Sequence, residues 1–413
     1  MTSEPKPPES NSDANSHSSA ALPVVSLKAK SDRRVKQGHC WVYSNEVDIE
    51  SSGFRTMTVG QQATLHTAHG QVLGSGFFNP HALQCGRLYS RQANQLFDKD
   101  FIVRQLSKAL AWRESCYEQP YYRLVYGDGD HLPGLVVDRY GDTLVMQLNA
   151  AGTMAALDDI VQALIEVIKP KGILLRNEKA NDIEQLQSHT EVMFGEVPDT
   201  ANIIENGVEF IVPIASGQKT GWFYDHRDSR ALLANYVRGK RVLDVYSYLG
   251  GWGLQAMSQG AASVSCIDSS GAALELAEAA AKLAGVGGNM QFIKASAIDA
   301  LKAMVKEGQC FDVIVLDPPA FIKRRKDQRS GEKAYHHINQ LAVKLLAPSG
   351  LLVSASCSLH LPRQELTKIV QVAAARAEKQ AFIIHQGGLG ADHPVNVAMP
   401  EMDYLKAVFA RID

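Results

Sequence analysis

The sequence predicts an α/β protein whose C-terminal half carries a mainly parallel sheet covered by helices on both faces, behind two smaller folded units. Three observations predict it. Beyond Arg238 apolar strands alternate with amphipathic helices in regular order. From Val24 to about Asp98 the chain reads as short strands broken by turn signals, and a mixed helix-and-strand stretch lies between the two. A chain of 413 residues also exceeds what one hydrophobic core holds, so several domains are expected.

Residues 1–22 are rich in Pro, Ser and Asn and carry Glu4, Glu9 and Asp13 where an export signal would need basic and then apolar residues, so they read as a disordered tail. Residues 23–98 form the β-rich domain, with strands in VVSLKAK, HCWVYSNEV, TVGQQATLHTAHGQVLGSGFF and CGRLYSRQ and turns at His69-Gly70 and Asn79-Pro80. Val24 to Phe97 holds eight basic residues against four acidic, a net +4 that the whole chain, with 42 Lys+Arg against 44 Asp+Glu, conceals. Near-neutral total charge therefore excludes a uniformly basic nucleic-acid binder but not a local basic surface. Residues 99–206 read as a central α/β domain: a helix in DFIVRQLSKALAWRESCY, strands in LPGLVVDRY and TLVMQLNA, a helix in ALDDIVQALIEVIKP and a strand in GILLRNE. It shows no catalytic cluster, and spacing and docking are its expected roles.

Residues 207–413 hold the strand and helix alternation, from RVLDVYSY through SVSCIDSS, MQFIKAS, FDVIVLDPP, GLLVSASCS and AFIIHQG to YLKAVFARI. The last strand follows its predecessor with no helix between and should add antiparallel. Seven strands in that arrangement are the Rossmann-like fold of class I methyltransferases rather than of a dehydrogenase. Apolar stretches are interrupted by charge well before 18 residues, so no membrane span is expected. Six cysteines without a C-x-x-C pair indicate neither a disulfide framework nor a four-thiolate zinc site, which fits a reduced cytoplasm. Tyr335, His336 and His337 lack a third ligand at metal spacing, and no metal is expected.

Four motifs carry chemistry. DVYSYLGGWG (244–253) is a glycine-bearing turn between a strand and a helix, with Tyr246, Ser247, Gly250 and Gly251 where a backbone can approach a nucleotide-like ligand. Its adjacent glycines and bulky neighbours do not match the G-x-G-x-x-G of a dinucleotide site. Asp268 ends the next strand, where a carboxylate can accept from both ribose hydroxyls. DPPAF (317–321) ends the fourth strand; two prolines stop it and aim Asp317 at the crevice. In amino-methyltransferases the aromatic follows the prolines directly, whereas here Ala320 intervenes, which argues against exocyclic-amine methylation. SASCS (354–358) ends the neighbouring fifth strand, so Cys357 and Asp317 should face one crevice. Cytosine C5 is a poor nucleophile; a thiolate added to C6 makes C5 enamine-like, and an acid at N3 and N4 absorbs the charge. Cys266 and Cys310 read as small buried hydrophobes. GQKTGWFYDHRDSR (217–230) reads as a loop folding over a ligand, and Lys323, Arg324, Arg325 and Lys326 as a phosphate clamp beside the DPPAF turn.

Together GQKTGWFYDHR, DVYSYLGGWG, DPPAF, Asn339 in HINQLA, SCS and ADHPV (391–395) resemble the bacterial ribosomal RNA large subunit methyltransferase I family. The resemblance spans nearly the whole chain after the tail, since SDRRVKQGHCWVYSNEV is similar to the start of the family's RNA-binding PUA domain and LPGLVVDRYGD to its central domain. It implies an S-adenosylmethionine (SAM) dependent enzyme forming 5-methylcytosine in 23S rRNA, on naked rRNA or a large-subunit assembly intermediate, with a homodimer as one arrangement. It implies Cys357 as nucleophile and Asp317 as the base-holding residue; SAM would be held by Phe223, Asp225, Arg227, Tyr246, Ser247, Gly250, Gly251, Asp268 and Asp317. The family often has an aspartate at the end of the third strand; here Ser296 stands there and Asp299 is assigned the adenine contact instead. Lys28, Arg33 and Arg34 would join the basic loop in holding RNA. No second cysteine stands beside the prolines, so the base that removes the C5 proton is unidentified. Methylation at another rRNA position or on a base amine, and a non-catalytic RNA-binding assembly factor, stay open as alternatives at this point.

Overall fold

The computed structural model describes residues 21–413, so all but the last two residues of the 1–22 tail lie outside the described residues. The first unit holds β1 (Val24–Ser26), the short helix α1 (Arg33–Lys36), β2 (Trp41–Tyr43), β3 (Gln61–His66), β4 (Val72–Phe78) and β5 (Gln84–Ser90) in one sheet of order β1-β3-β4-β5-β2. Its core of Val25, Val42, Leu65 and Phe78 takes in Met399 and Met402 from the far end of the chain.

The second unit contains α2 (Lys99–Cys116), β6 (Tyr121–Tyr126), β7 (Leu135–Tyr140), β8 (Thr143–Leu148), α3 (Ala151–Ala155), α4 (Leu157–Ile168), β9 (Gly172–Asn177) and β10 (His189–Gly195). The sheet order is β10-β9-β8-β7-β6, antiparallel except where α4 carries the chain from β8 to a parallel β9. Asp98 caps α2 by accepting from Phe101 N at 2.9 Å. The hairpin of β11 (Thr200–Glu205) and β12 (Val208–Pro213) spans residue 206, where the sequence reading puts its boundary. It wedges Ile203, Phe210 and Val212 between Tyr140 and Leu174 of the central sheet and Ala277 and Ala281 of the last unit.

The last unit runs α5 (Arg227–Leu233), β13 (Arg241–Val245), α6 (Gly251–Ser258), β14 (Ser263–Asp268), α7 (Gly271–Leu283), β15 (Met290–Lys294), α8 (Ala297–Lys306), β16 (Phe311–Leu316), α9 (Gln328–Leu345), β17 (Leu346–Ser356), α10 (Arg363–Ala375), β18 (Ala381–Gly387) and β19 (Lys406–Ile412). Its seven strands follow the order β15-β14-β13-β16-β17-β19-β18, with β19 antiparallel between β17 and β18 as the sequence predicts. Both faces are covered: Leu243 and Val245 of β13 pack with α9 and α10, while Val242 packs with Trp252 and Leu233 on the other side. Since β13 and β16 are neighbours at the point where strand order reverses, the carboxyl edge opens into a crevice there.

Residues 388–405, between β18 and β19, form a strap across all three units. Asn396 Nδ2 donates to Gly38 O of the first unit at 3.4 Å, and Arg123 N of the second donates to Asp392 Oδ2 at 2.9 Å. At the strap's end Tyr404 OH donates to Asp225 Oδ2 at 2.7 Å.

Candidate active site at the carboxyl edge of the sheet

After β13 the chain makes a turn in which Tyr246 (φ 67°), Tyr248 (φ 49°) and Gly250 (φ 71°) are all left-handed. Two tyrosines in that region cost strain, and hydrogen bonds hold them. Ser247 N donates to Ile267 O at 3.0 Å, and Tyr248 N to Asp268 Oδ2 at 2.9 Å. Gly253 N donates to Asp244 Oδ2 at 2.9 Å, and a Cβ on Gly253 would stand 2.6 Å from Cys266 Sγ, so only glycine lets α6 approach β14. Burial pushes the Asp244 carboxyl up to about 7, partly offset by the Gly253 N–H. Sequence reasoning passed over Tyr248 as merely bulky. Its hydroxyl accepts from Gln218 N and donates to Gly221 O, both at 3.0 Å, which staples the 217–227 loop to the turn.

Around this turn Ser247 Oγ, Asp244 Oδ1 and Asp225 Oδ1 are buried without a hydrogen-bond partner among the described residues. Half-buried Asp268 accepts from Tyr248 N and Ser270 N, one on each oxygen, which fixes the carboxylate and leaves a lone pair on each oxygen. Asp299, by contrast, is exposed on the first turn of α8 and makes no hydrogen bond among the described residues.

Asp317 follows β16 and Cys357 follows β17, the adjacent parallel strand. Asp317 Oδ1 lies 3.1 Å from His226 Nε2, and Oδ2 accepts from Trp252 Nε1 at 3.0 Å. Burial works against the carboxylate, but the His226 ring and the indole N–H outweigh it and bring the Asp317 pKa below its ordinary value. Cys357 is half-buried at the tip of a turn whose flanks are locked. Ser356 Oγ donates to Tyr335 OH at 2.9 Å, Tyr335 OH and Ser358 Oγ share a hydrogen bond at 3.0 Å, and Ser358 Oγ accepts from Ile322 N at 3.2 Å. Burial raises the Cys357 thiol, with Lys219 pulling the other way and Asp317 and Asp225 adding to the rise. Lys406, 4% exposed, donates from Nζ to Ser358 O at 2.7 Å. Desolvation lowers its pKa to about 8, with the charge of Asp403 pulling the other way.

The 217–227 loop faces two ways. Thr220 Oγ1 donates to the buried Asp138, Trp222 N to Tyr140 OH at 3.0 Å, and Tyr224 OH to Arg139 O at 2.9 Å, all on β7. Phe223, Asp225 and His226 line the crevice side, with Phe223 edge-on to Tyr248 at 5.5 Å and Lys219 Nζ 4.2 Å over its ring. Arg227 departs from the sequence expectation. It is buried against the Tyr117 ring at 4.3 Å and donates to Tyr121 O, so it ties the loop to the central domain instead of covering a cofactor. His226 and Trp252, which orient Asp317, were not singled out from sequence, although both stand in the quoted motifs. Among the residues assigned to RNA, Lys28, Arg33, Lys323, Arg324, Arg325 and Lys326 are exposed. Arg34 is not free for phosphate: Glu46 takes its guanidinium at 3.0 and 2.8 Å and Tyr43 stacks on it.

A family model described as S-adenosylmethionine-dependent methyltransferase matches residues 178–370, and one described as a PUA-like domain matches residues 25–91. Ribosomal RNA large subunit methyltransferase I of Aliivibrio fischeri is 34% identical over 388 residues, covering 92% of this chain and 97% of its own. The protein of that name from Aeromonas hydrophila is 34% identical over 401 residues, covering 95% and 99%. The chain belongs to this family. Its N-terminal unit is a PUA-like domain and its C-terminal unit a SAM-dependent methyltransferase domain. Solved structures share the fold: a chain from Streptococcus mutans described as a SAM-dependent methyltransferase superposes with TM-score 0.80 at 21% identity over 94% of this chain and all of that one. A methyltransferase solved with SAH does so at 0.80 and 22% identity, over 94% and 99%.

The residues present suit SAM. The unpartnered Ser247 Oγ and Asp225 Oδ1 offer polar contacts, the fixed Asp268 carboxylate suits a ribose diol, and the left-handed turn brings backbone close to a ligand. Among the described residues no helix is long and apolar enough to cross a membrane.

Proposed function

We propose that this protein methylates C5 of a cytosine in large-subunit (23S) ribosomal RNA, with Cys357 as covalent nucleophile and Asp317 gripping the base. The observation that carries the reading is the pair at adjacent strand ends, a cysteine on a locked turn and an ionised carboxylate held from two sides. Bound SAM supplies an electrophilic methyl group on sulfonium. Phe223, Asp225, the turn of Tyr246, Ser247, Gly250 and Gly251, and Asp268 hold the cofactor in this reading. Asp317 accepts from the cytosine N4 amine. The Cys357 thiol gives its proton to solvent and the thiolate adds to C6; the electron pair of the C5–C6 double bond moves towards C5 and, through C4, to N3, where a proton shared by the His226–Asp317 pair would meet the charge. Once C5 carried the methyl group that bound SAM would supply, loss of the C5 proton to water and return of the N3 proton to that pair would re-form the C5–C6 double bond as C6–Sγ breaks and the thiolate leaves.

Exocyclic-amine transfer loses its usual aromatic platform, because Phe321 packs against Tyr335 at 4.8 Å. The exposed Lys323–Lys326 run beside Asp317 and the basic PUA-like domain supply phosphate contacts, and the names of the relatives supply the rRNA. Tritium release from [5-³H]cytidine rRNA, together with a denaturation-stable adduct on 5-fluorocytidine RNA, tests the assignment. Normal methylation by Cys357→Ala would falsify it.

A further inference from the structure

Beside the crevice, on the same sheet edge, lies a second cavity of about 550 Å³ that the proposed chemistry does not use. Trp112 of α2, Gly388 and Gly390 of the strap, Arg363 at the start of α10, His393 and Asp403 line it. Its position follows from the register. Gly387, on its wall, pairs with Ala407, and the preceding Lys406 pairs with Ser356, next to Cys357. The cavity therefore starts two strand spacings, about 10 Å, from the nucleophile.

Its lining has three kinds of recognition group. Trp112 is 52% exposed, yet its Nε1 donates to Ala391 O at 2.8 Å, so the indole is an open face held in one orientation. Arg363 spends NH1 on Gly387 O at 2.7 Å and makes no other hydrogen bond among the described residues, which leaves its remaining donors for a ligand in the cavity it lines. Asp403 is an exposed acceptor in the same lining, close enough to Lys406 to interact with its charge. A ring platform, a guanidinium and an exposed carboxylate around a volume of this size fit one nucleotide, with base on indole, phosphate by arginine, and an exocyclic amine on the carboxylate.

We propose that this cavity is a subsite for an RNA nucleotide flanking the target cytosine, stacked on Trp112 and selected for an amine-bearing base by Asp403. The proposal rests on the reading of the protein as an RNA methyltransferase, and its test separates the two. Hexa-adenylate should quench the tryptophan fluorescence of the full-length protein more strongly than hexa-uridylate, which has no exocyclic amine. Trp222 and Trp252 are 2% and 3% exposed, and the half-buried Trp41 is replaced by Phe in the protein used, so Trp112 is the accessible reporter. Trp112→Ala should abolish that quenching and raise KM for an rRNA fragment about tenfold, the worth of one stacked base, with thermal unfolding and SAM affinity unchanged. Asp403→Asn should remove the preference for adenylate over uridylate, and Arg363→Gln should reduce the salt dependence of binding. Covalent 5-fluorocytidine adduct formation with an unchanged KM in Trp112→Ala and Arg363→Gln would overturn the subsite and leave the function standing. Quenching that needs Trp112, in a protein that forms no adduct, would support the subsite and remove the catalytic reading.

Discussion

On the β16–β17 side of the carboxyl edge the hydroxyls flanking the cysteine, those of Ser356, Tyr335 and Ser358, are bonded to one another. On the β13–β14 side Ser247 Oγ, Asp244 Oδ1 and Asp225 Oδ1 are buried and have no partner among the described residues. A buried polar atom left alone costs about 1–3 kcal/mol, so the second arrangement suits a surface completed by a ligand, whereas in the first the hydroxyls around the cysteine satisfy one another and Ser354 Oγ, deeper in β17, is left alone. The difference matches the two tasks proposed for them. A nucleophile would have to stay in one place while the base arrives, and a cofactor pocket would have to keep its contacts for the molecule that enters.

Substitutions on the two sides should therefore fail in different ways. Cys357→Ala has the largest effect: methyl transfer falls at least about 1000-fold while SAM affinity, read by calorimetry, stays as in the parent. Since burial raises the thiol pKa, adduct formation by the parent should also speed up as pH rises through the alkaline range. Tyr335→Phe should cost about 1–2 kcal/mol in urea unfolding, because Ser356 and Ser358 each lose a buried hydroxyl partner and keep only one backbone N–H, and should slow turnover with little change in SAM affinity. A Tyr335→Phe protein of parental stability would mean that the Ser-Cys-Ser turn is not held as described.

Lys406→Met should do the reverse for stability. The folded pKa of about 8 lies below the 10.5 of a free lysine, so the unfolded chain binds more protons between those values and parental stability rises with pH across that window. Below pH 8 the ammonium carries its full cost; removing it should stabilise the fold by about 2 kcal/mol, after about 1 kcal/mol for the unpaired Ser358 carbonyl. The gain should shrink towards pH 10.5, and thermal melts at pH 7 and 10 read it. Methyl transfer should slow in the same variant, because the charge beside the cysteine is gone. The smallest effect belongs to the open side. Ser247→Ala should weaken SAM binding about fivefold and leave the ligand-free melting temperature unchanged or higher.

Much of the β13–β19 sheet was legible because apolar strands alternate with helices, most of them amphipathic; the antiparallel β19 followed from one missing helix. Cys357 and Asp317 were legible because strand ends in this topology share an edge. What was not legible were the contacts that decide which way a side chain faces. Arg227 and Asp225 stand two residues apart in one motif, yet one is drawn to Tyr121 and Tyr117 and the other to Tyr404, 179 positions away. Arg34 reads as a free cation until Glu46 is folded against it. Tyr335 reads as core packing until Ser356 and Ser358 arrive from a different element. Each partner is long-range in sequence, and periodicity carries no information about it.

Met399 and Met402 sit in the core of the PUA-like domain although they are translated long after its own strands. During synthesis that domain emerges before the central and catalytic domains and must wait, its apolar interior incomplete, while they are translated. Its final packing is thus coupled to the strap that β18 and β19 hold in place, and the N-terminal module is finished only when the methyltransferase sheet has closed.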